Sequence, residues 1–526
     1  MQRWLSFHHY STPQQSDFYY LRLCNEIFSI LRYDDFPDDE LTLSEEEKKQ
    51  LACFITAYFE DVISGPGLWR AFITQVDELY GTWLPFFDSD EYYPDEINHE
   101  DLSFLLWYFL SMILGDKNII SPIISKWSEM PEEIFGILER EYESAPENLK
   151  LKQFLNISPN EEDYHELNVR MRWIMTDSWL HHFVGKEYDE IAAEIFSEEE
   201  GEPMPEDARE PFLYDSLDTF IHSTLTPLLA RKGKEWLAYT LGEDHPLFEP
   251  VLGMVEKKSG YYLFMGREGE DLLYKHIATG RELKVSSRSM QLPTDIEPGK
   301  SVSLSGFVQW KGEWWLSGAQ LELGFDTDQI REEEESEESK KLFGKDQAVQ
   351  REENRQLHAS FLKFNRGKQL AFIESEEEAN RFIREFLEYH NRFMKRSVRR
   401  RQKNRKLPEQ EMIREISYDK TEHGPEEATP GMIFSDPDMG IELAFGYNGL
   451  IPDVRNPWFE EFESDGKHAD DAIMLLESDY ISGKWMHYLL ANYDLPGIEF
   501  PGPSGRELLM DNLDFMLRFW KREDYF

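Results

Sequence analysis

The apolar residues of this chain change their spacing partway along, and that change limits what it can fold into more than any other feature. Up to about residue 242 they recur at i, i+3 and i+4. Ser44 and Glu47 form a capping box, and Leu51, Phe54, Ile55, Tyr58, Phe59, Val62 and Ile63 follow at helical spacing. This predicts a helix with one buried stripe, ended by Gly65, Pro66 and Gly67. A second helix follows directly through Leu68, Trp69, Phe72, Ile73, Val76 and Tyr80. Further helices are expected over Phe18–Leu31, Leu102–Leu114, Pro131–Tyr142, Glu161–Phe183, Tyr188–Phe196 and Phe212–Leu241. The acidic, Pro-containing stretch Ser197–Pro211 reads as a solvated loop.

From about Pro246 the period becomes two and glycines appear at turn spacing, which predicts about five short strands. The clearest hairpin runs from Ser301 to Trp310, turns at Lys311 and Gly312, and returns through Glu313 to Leu323, pairing Val308 with Trp315. One face would carry Val302, Leu304, Val308, Trp315, Ala319 and Leu321; the other would carry Phe307, Trp314 and Leu316. Two partly apolar faces favour a small barrel or a strongly curved sheet, because closure removes exposed edges. Arg331–Lys341 is almost wholly charged and reads as a solvated linker or frayed helix. Beyond it, a strand at Gln369–Ile373 precedes a helix capped by Ser375 and Glu378. Two strands, Met432–Phe434 and Ile441–Phe445, then precede closing helices, the last with a capping box of Ser504 and Glu507. The expected architecture is therefore multidomain and mainly α: a helical domain over 1–242, a small central β-barrel-like module over 246–325, a charged linker over 326–357, and an α+β region ending in helices over 358–526.

Charge excludes some functions. With 103 acidic against 56 basic residues, the net charge is −47, which opposes wrapping a phosphate backbone and favours cationic protein partners. The two cysteines, Cys24 and Cys53, lie in helix-like apolar patterns and give neither a disulfide framework nor a Cys-based zinc site. The most apolar stretch, Leu102–Leu114, is about half the length a bilayer span needs, and no cleaved signal is evident. The cytoplasm is the expected location, with no membrane partner.

Nucleotide-loop, nucleophile-elbow and zinc-protease signatures do not occur; His165 and Glu166 begin like the last of these, but Val169 stands where the second His belongs. No cofactor or metal is implied. The best acid and base candidates are His165, Asp177 and His181, with Asp177 and His181 four apart on one helix face. The bland alternative is a surface ion pair or a capping histidine. His99, Glu100 and Asp101 read as capping residues of the next helix. A basic run from Lys395 to Lys406, including Arg399, Arg400 and Arg401, is the single route to nucleic acid; its plainer use is pairing with the acidic surface of the same chain. Phe307 and Trp314 are candidate stacking residues for the same purpose, unless that face is covered by the helices.

Asp17, Tyr19, Tyr20, Leu21, the run Glu45–Phe54, the run Ala57–Gly65 with Gly67, Leu68 and Trp69, and the segment Glu91–Asn98 resemble an uncharacterised bacterial family, a domain of unknown function. The resemblance covers about the first 115 residues. It implies a bacterial cytoplasmic context and supplies no site residues. The leading expectation is a protein-interaction or scaffold protein. The rivals are an enzyme with an unrecognised hydrolytic or metal-assisted site and an RNA-associated factor using the basic run and the β module.

Overall fold

The computed structural model describes residues 1–33, 43–65, 67–87, 91–114, 119–123, 129–197, 206–290, 296–323, 327–343, 347–401, 429–460 and 467–525. It forms two compact units, one from Met1–Gly115 and Ile120–Gly344, the other from Asp116–Ile119 and Lys345–Phe526. No helix among the described residues is long and apolar enough to cross a membrane.

The first unit is organised round the helix Glu45–Ser64. Ser44 Oγ accepts from Glu47 N, and the Glu47 carboxylate returns to Ser44 N at 2.7 Å, so the capping box forms as expected. Burial is wider than a stripe. Every residue from Leu51 to Asp61 is buried, because the helices Gln15–Tyr33, Leu68–Tyr80 and His99–Leu114 pack around it. Phe54 shows the packing: its ring lies 5.2 Å from Trp179, 5.6 Å from Phe109 and 6.4 Å from Phe183. The next helix starts where Asp61 permits, since the Asp61 carboxylate accepts from the Leu68 and Trp69 amides at 3.3 and 2.7 Å.

Two expected helices are broken. The segment expected as Glu161–Phe183 is a helix over Tyr164–Arg172, a π-helical stretch over Trp173–Asp177 and an extended Ser178; the next helix begins at His182 and runs to Ser197. The segment expected as Phe212–Leu241 divides into Glu206–Ser223 and Gly233–Leu241. Between them, Thr226 Oγ1 takes the Trp236 Nε1 proton at 2.8 Å and fixes the turn. The expected loop Ser197–Pro211 is shortened, because Glu206–Pro211 is already helical; 198–205 lies outside the described residues.

Five strands follow: β1 (Val255–Glu268), β2 (Asp271–His276), β3 (Glu282–Val285), β4 (Val302–Trp310) and β5 (Glu313–Leu323). The hairpin has the expected register, Val308 opposite Trp315, and Lys311 and Gly312 both take positive φ (47° and 85°) as a type I′ turn requires. In order β1-β2-β3-β5-β4 the sheet curls until β4 pairs with β1. On one side the ring is joined by a single parallel bridge, Val285 to Trp314, so it is a curved sheet rather than an evenly bonded barrel. Its interior holds Tyr262, Phe264, Tyr274, Phe307 and Leu316. The opposite face is buried too, at Val308, Trp310 and Trp315. Past the sheet, the charged segment forms short helices over Thr327–Glu335 and Glu337–Lys341, and Phe343 packs on Trp314 and His276.

The second unit has an antiparallel sheet of β6 (Leu370–Ile373), β7 (Gly431–Asp436) and β8 (Gly440–Phe445), in that order. Phe361, Ile383 and Phe386, from the helices Gln347–Phe364 and Glu376–Arg401, cover the face bearing Ile433. Trp485 stacks on Phe434 at 5.2 Å. Ser375 caps as expected, by accepting from Glu378 N. The expected box at Ser504 is absent: Ser504 has φ 62°, which turns its hydroxyl away, and the closing helix divides into Gly505–Asp511 and Leu513–Trp520.

Because Phe54 is held by rings from several elements, Phe54→Ala is expected to lower stability by about 3–5 kcal/mol in urea unfolding. A loss under about 1 kcal/mol would show that the centre of the first unit is elsewhere.

Candidate functional site

The sequence candidates are placed by different elements and serve different neighbours. His165 stands in the first turn of the helix Tyr164–Arg172, whose cap Asp163 accepts the His165 amide at 2.9 Å. Its Nε2 meets the Ser289 carbonyl at 3.0 Å, and its ring meets Trp315 edge-on, so it fastens helix to sheet. Asp177 ends the π-helical stretch, and the break at Ser178 removes the shared helix face expected for Asp177 and His181. His181 donates from Nδ1 to the Ile174 carbonyl at 2.9 Å and lies 4.4 Å from Trp236. Burial pushes its pKa down to about 3, so it is a neutral ring whose Nε2 has no hydrogen-bond partner among the described residues. Burial also raises the Asp177 pKa.

The expected stacking pair is corrected by the sheet's curvature. Phe307 is fully buried in the interior, and Trp314 is half-buried against Phe343, so neither offers an open face. Arg399, Arg400 and Arg401 continue the helix Glu376–Arg401 in backbone, but their side chains lie outside the described residues, as do Lys395, Arg396, Lys403, Arg405 and Lys406 entirely or in side chain.

A cluster that spacing did not reveal joins the helices to the sheet. The Lys257 side chain is 1% exposed, and its Nζ lies 2.8 Å from Asp215 Oδ1, 2.9 Å from Asp218 Oδ2 and 3.0 Å from Thr219 Oγ1. Ser317 on β5 donates to Asp218 at 2.7 Å, and Asn168 donates to the other Asp218 oxygen at 2.7 Å. The Tyr164 hydroxyl lies between His222 Nε2 (2.7 Å) and Ser317 Oγ (2.6 Å). Gly306 and Gly318 make this possible: a Cβ at either would strike the Lys257 stem or the Asp215 carboxylate, and Gly318 has φ 77°. Burial opposes the Asp218 charge, but Lys257 and the hydrogen bonds outweigh it and lower its pKa. Burial holds His222 neutral, with a pKa of about 4. A serine, a histidine, a tyrosine and carboxylates are thus in contact, yet Ser317 and Tyr164 are 0% exposed, which leaves a substrate no approach.

A second cluster lies at the start of the chain. His8, Asp17 and Glu60 are buried, with one ligand atom from each within 4.8 Å of the others. An imidazole with two carboxylates suits a transition-metal ion, and His8 Nδ1 at 3.0 Å from the Trp4 carbonyl is the usual outer bond of a metal-binding histidine. The oxygens are already committed, however. Asp17 accepts from Trp4 Nε1, Tyr10 OH and the Gln14 amide, and Glu60 accepts from Asn148 and His8. The donor set fits a cation by type and fits a closed proton network by geometry. Both ring nitrogens of His8 face oxygen atoms, Nδ1 the Trp4 carbonyl and Nε2 the Glu60 carboxyl, an arrangement that favours the protonated ring. Burial opposes that charge, and Glu60 beside it, with Asp17 and the Trp4 carbonyl, outweighs burial and raises the His8 pKa. Glu60 and Asp61 adjoining Phe59 inside an apolar helix were the sequence signal for this network.

Tyr58 and Tyr92 likewise donate to Asp101, expected as a simple cap and found as a buried hub; burial raises Asp101 to about 6. The cavity beside this helix is apolar. It measures about 110 Å³ and is lined by Phe87, Leu106, Trp107, Leu110, Ile123 and Pro131 among others.

A raised folded pKa makes His8 stabilising below its unfolded value, about pH 6.5, and that stabilisation disappears as pH rises through the folded value. The stability difference between wild type and His8→Gln should therefore be largest in mildly acidic buffer and shrink in alkaline buffer. A difference that stays flat from about pH 5 to about pH 9 would contradict a charged His8.

No curated protein and no solved structure matches the chain. One family model does match, over residues 1–260, a span that includes His8, Asp17, Glu60, Tyr164, Asp218, His222 and Lys257 and stops inside β1. Residues 1–260 of the chain match the family described as Protein of unknown function (DUF3843).

Proposed function

We propose that the protein is a non-enzymatic interaction protein whose first unit takes up a partner segment combining an apolar anchor with basic residues. The observation that carries this reading is the cavity at the helix His99–Leu114. Its apolar lining suits one large aliphatic or aromatic side chain, and Ile123 at its edge is 58% exposed. Glu132 and Glu133, directly after the lining residue Pro131, are exposed carboxylates placed to meet basic neighbours of that anchor. The net charge of −47 supports the same partner chemistry and would speed its approach. By contrast, the groups with acid and base chemistry, in the Lys257 and His8 clusters, are taken up by each other inside the unit.

The test is titration of the full chain with synthetic peptides that place Leu, Phe or Trp between lysines. Wild type should bind with affinity that falls as salt rises, and Ser103→Phe, which fills the cavity, should weaken binding at least about tenfold, or 1.4 kcal/mol, with an unchanged melting temperature. Equal binding by wild type and Ser103→Phe would end the reading.

A further inference from the structure

Cys24 and Cys53 sit on neighbouring helices, Gln15–Tyr33 and Glu45–Ser64, with their sulfurs 3.2 Å apart. Both are free thiols, each 5% exposed, and 29 positions separate them along the chain. We propose that this pair is a modification site, at which a peroxide converts the two thiols into a reversible disulfide that ties the two helices together.

The geometry needs little change. Closing 3.2 Å to a bonded distance takes about 1 Å of sulfur movement. The thiols already share a hydrogen bond, so the proton on one is held more tightly while the other ionises more readily. Cys53, which also feels the Arg3 charge, is the readier thiolate; Cys24 keeps its proton and acts second. The Cys53 thiolate attacks one oxygen of hydrogen peroxide and releases hydroxide, leaving a sulfenic acid. The Cys24 sulfur then displaces the sulfenic oxygen, which leaves as water with the Cys24 proton. Two thiols lose two electrons and two protons, and one peroxide becomes two waters. Hydrogen peroxide is close to water in size, which suits thiols this enclosed.

The bridge would act on the helices that carry the rest of the first unit. Tyr20, one turn before Cys24, donates to the Pro146 carbonyl at 2.7 Å, and Glu60, two turns after Cys53, holds His8 and Asn148. Oxidation therefore links two helices that each already hold the segment Pro146–Asn148, and it stabilises them by shortening the open chain that unfolding can release.

Treating the folded, full-length protein with hydrogen peroxide and measuring intact mass tests this directly. The expected result is loss of two hydrogens, one cross-linked peptide joining Cys24 to Cys53, full reversal by dithiothreitol, and a higher melting temperature for the oxidised form. Cys24→Ser should give no intramolecular bridge and should leave Cys53 open to trapping as a sulfenic acid by dimedone. Unchanged mass of the folded wild type, oxygen addition in place of hydrogen loss, or an oxidised form that does not melt higher would overturn the proposal. Because wild type alone decides the outcome, a folding defect in the variant cannot obscure it.

Discussion

The ammonium group of Lys257, enclosed with Asp215 and Asp218 between the helix Glu206–Ser223 and the strands β1 and β5, is the interaction on which the first unit's assembly depends. Removing a lysine from water costs several kcal/mol, and a second carboxylate beside the first adds repulsion. Those costs are offset by further hydrogen bonds to each member: Thr219 for the lysine, the Ala319 amide for Asp215, and Ser317 and Asn168 for Asp218. Such a node specifies position sharply. Shifting the helix by one turn would strand a charge in a dry interior, which hydrophobic contact alone does not penalise.

The same logic recurs wherever a titratable group lies inside. His8 joins the first residues of the chain to Glu60, Asn148 bridges Glu60 to Tyr10, and Asp101 gathers Tyr58 and Tyr92. Each network ties together segments apart in sequence, and in each a carboxylate sits on the buried part of the helix Glu45–Ser64 or His99–Leu114.

Local regularities were legible from sequence; long-range polar meetings were not. The Val308–Trp315 register could be read because a two-residue turn and period-two alternation allow one pairing, and the Ser44 box because its two partners are three residues apart. The break before Gly233 carried a signal, Pro227 with Gly233 six positions on, that apolar periodicity masked. Ser178 carried none, since no glycine or proline marks the π-helical stretch. Alternation says which residues share a side of the sheet and not which side is inside; curvature places Phe307 in the interior. Of the sites, His165, Asp177 and His181 lie near one another in sequence, whereas Lys257 with Asp218, Glu60 with His8 and Cys24 with Cys53 meet across 29 or more positions.

The central claim is that buried ionisable groups fasten this fold. Comparing Lys257→Met with the triple change Lys257→Met, Asp215→Asn, Asp218→Asn by urea unfolding at neutral pH tests it. The account predicts a loss of about 3–5 kcal/mol for the single change, because two carboxylates are left uncompensated, and recovery of part of it in the triple variant. A single variant as stable as wild type, or a triple variant less stable than the single one, would contradict it.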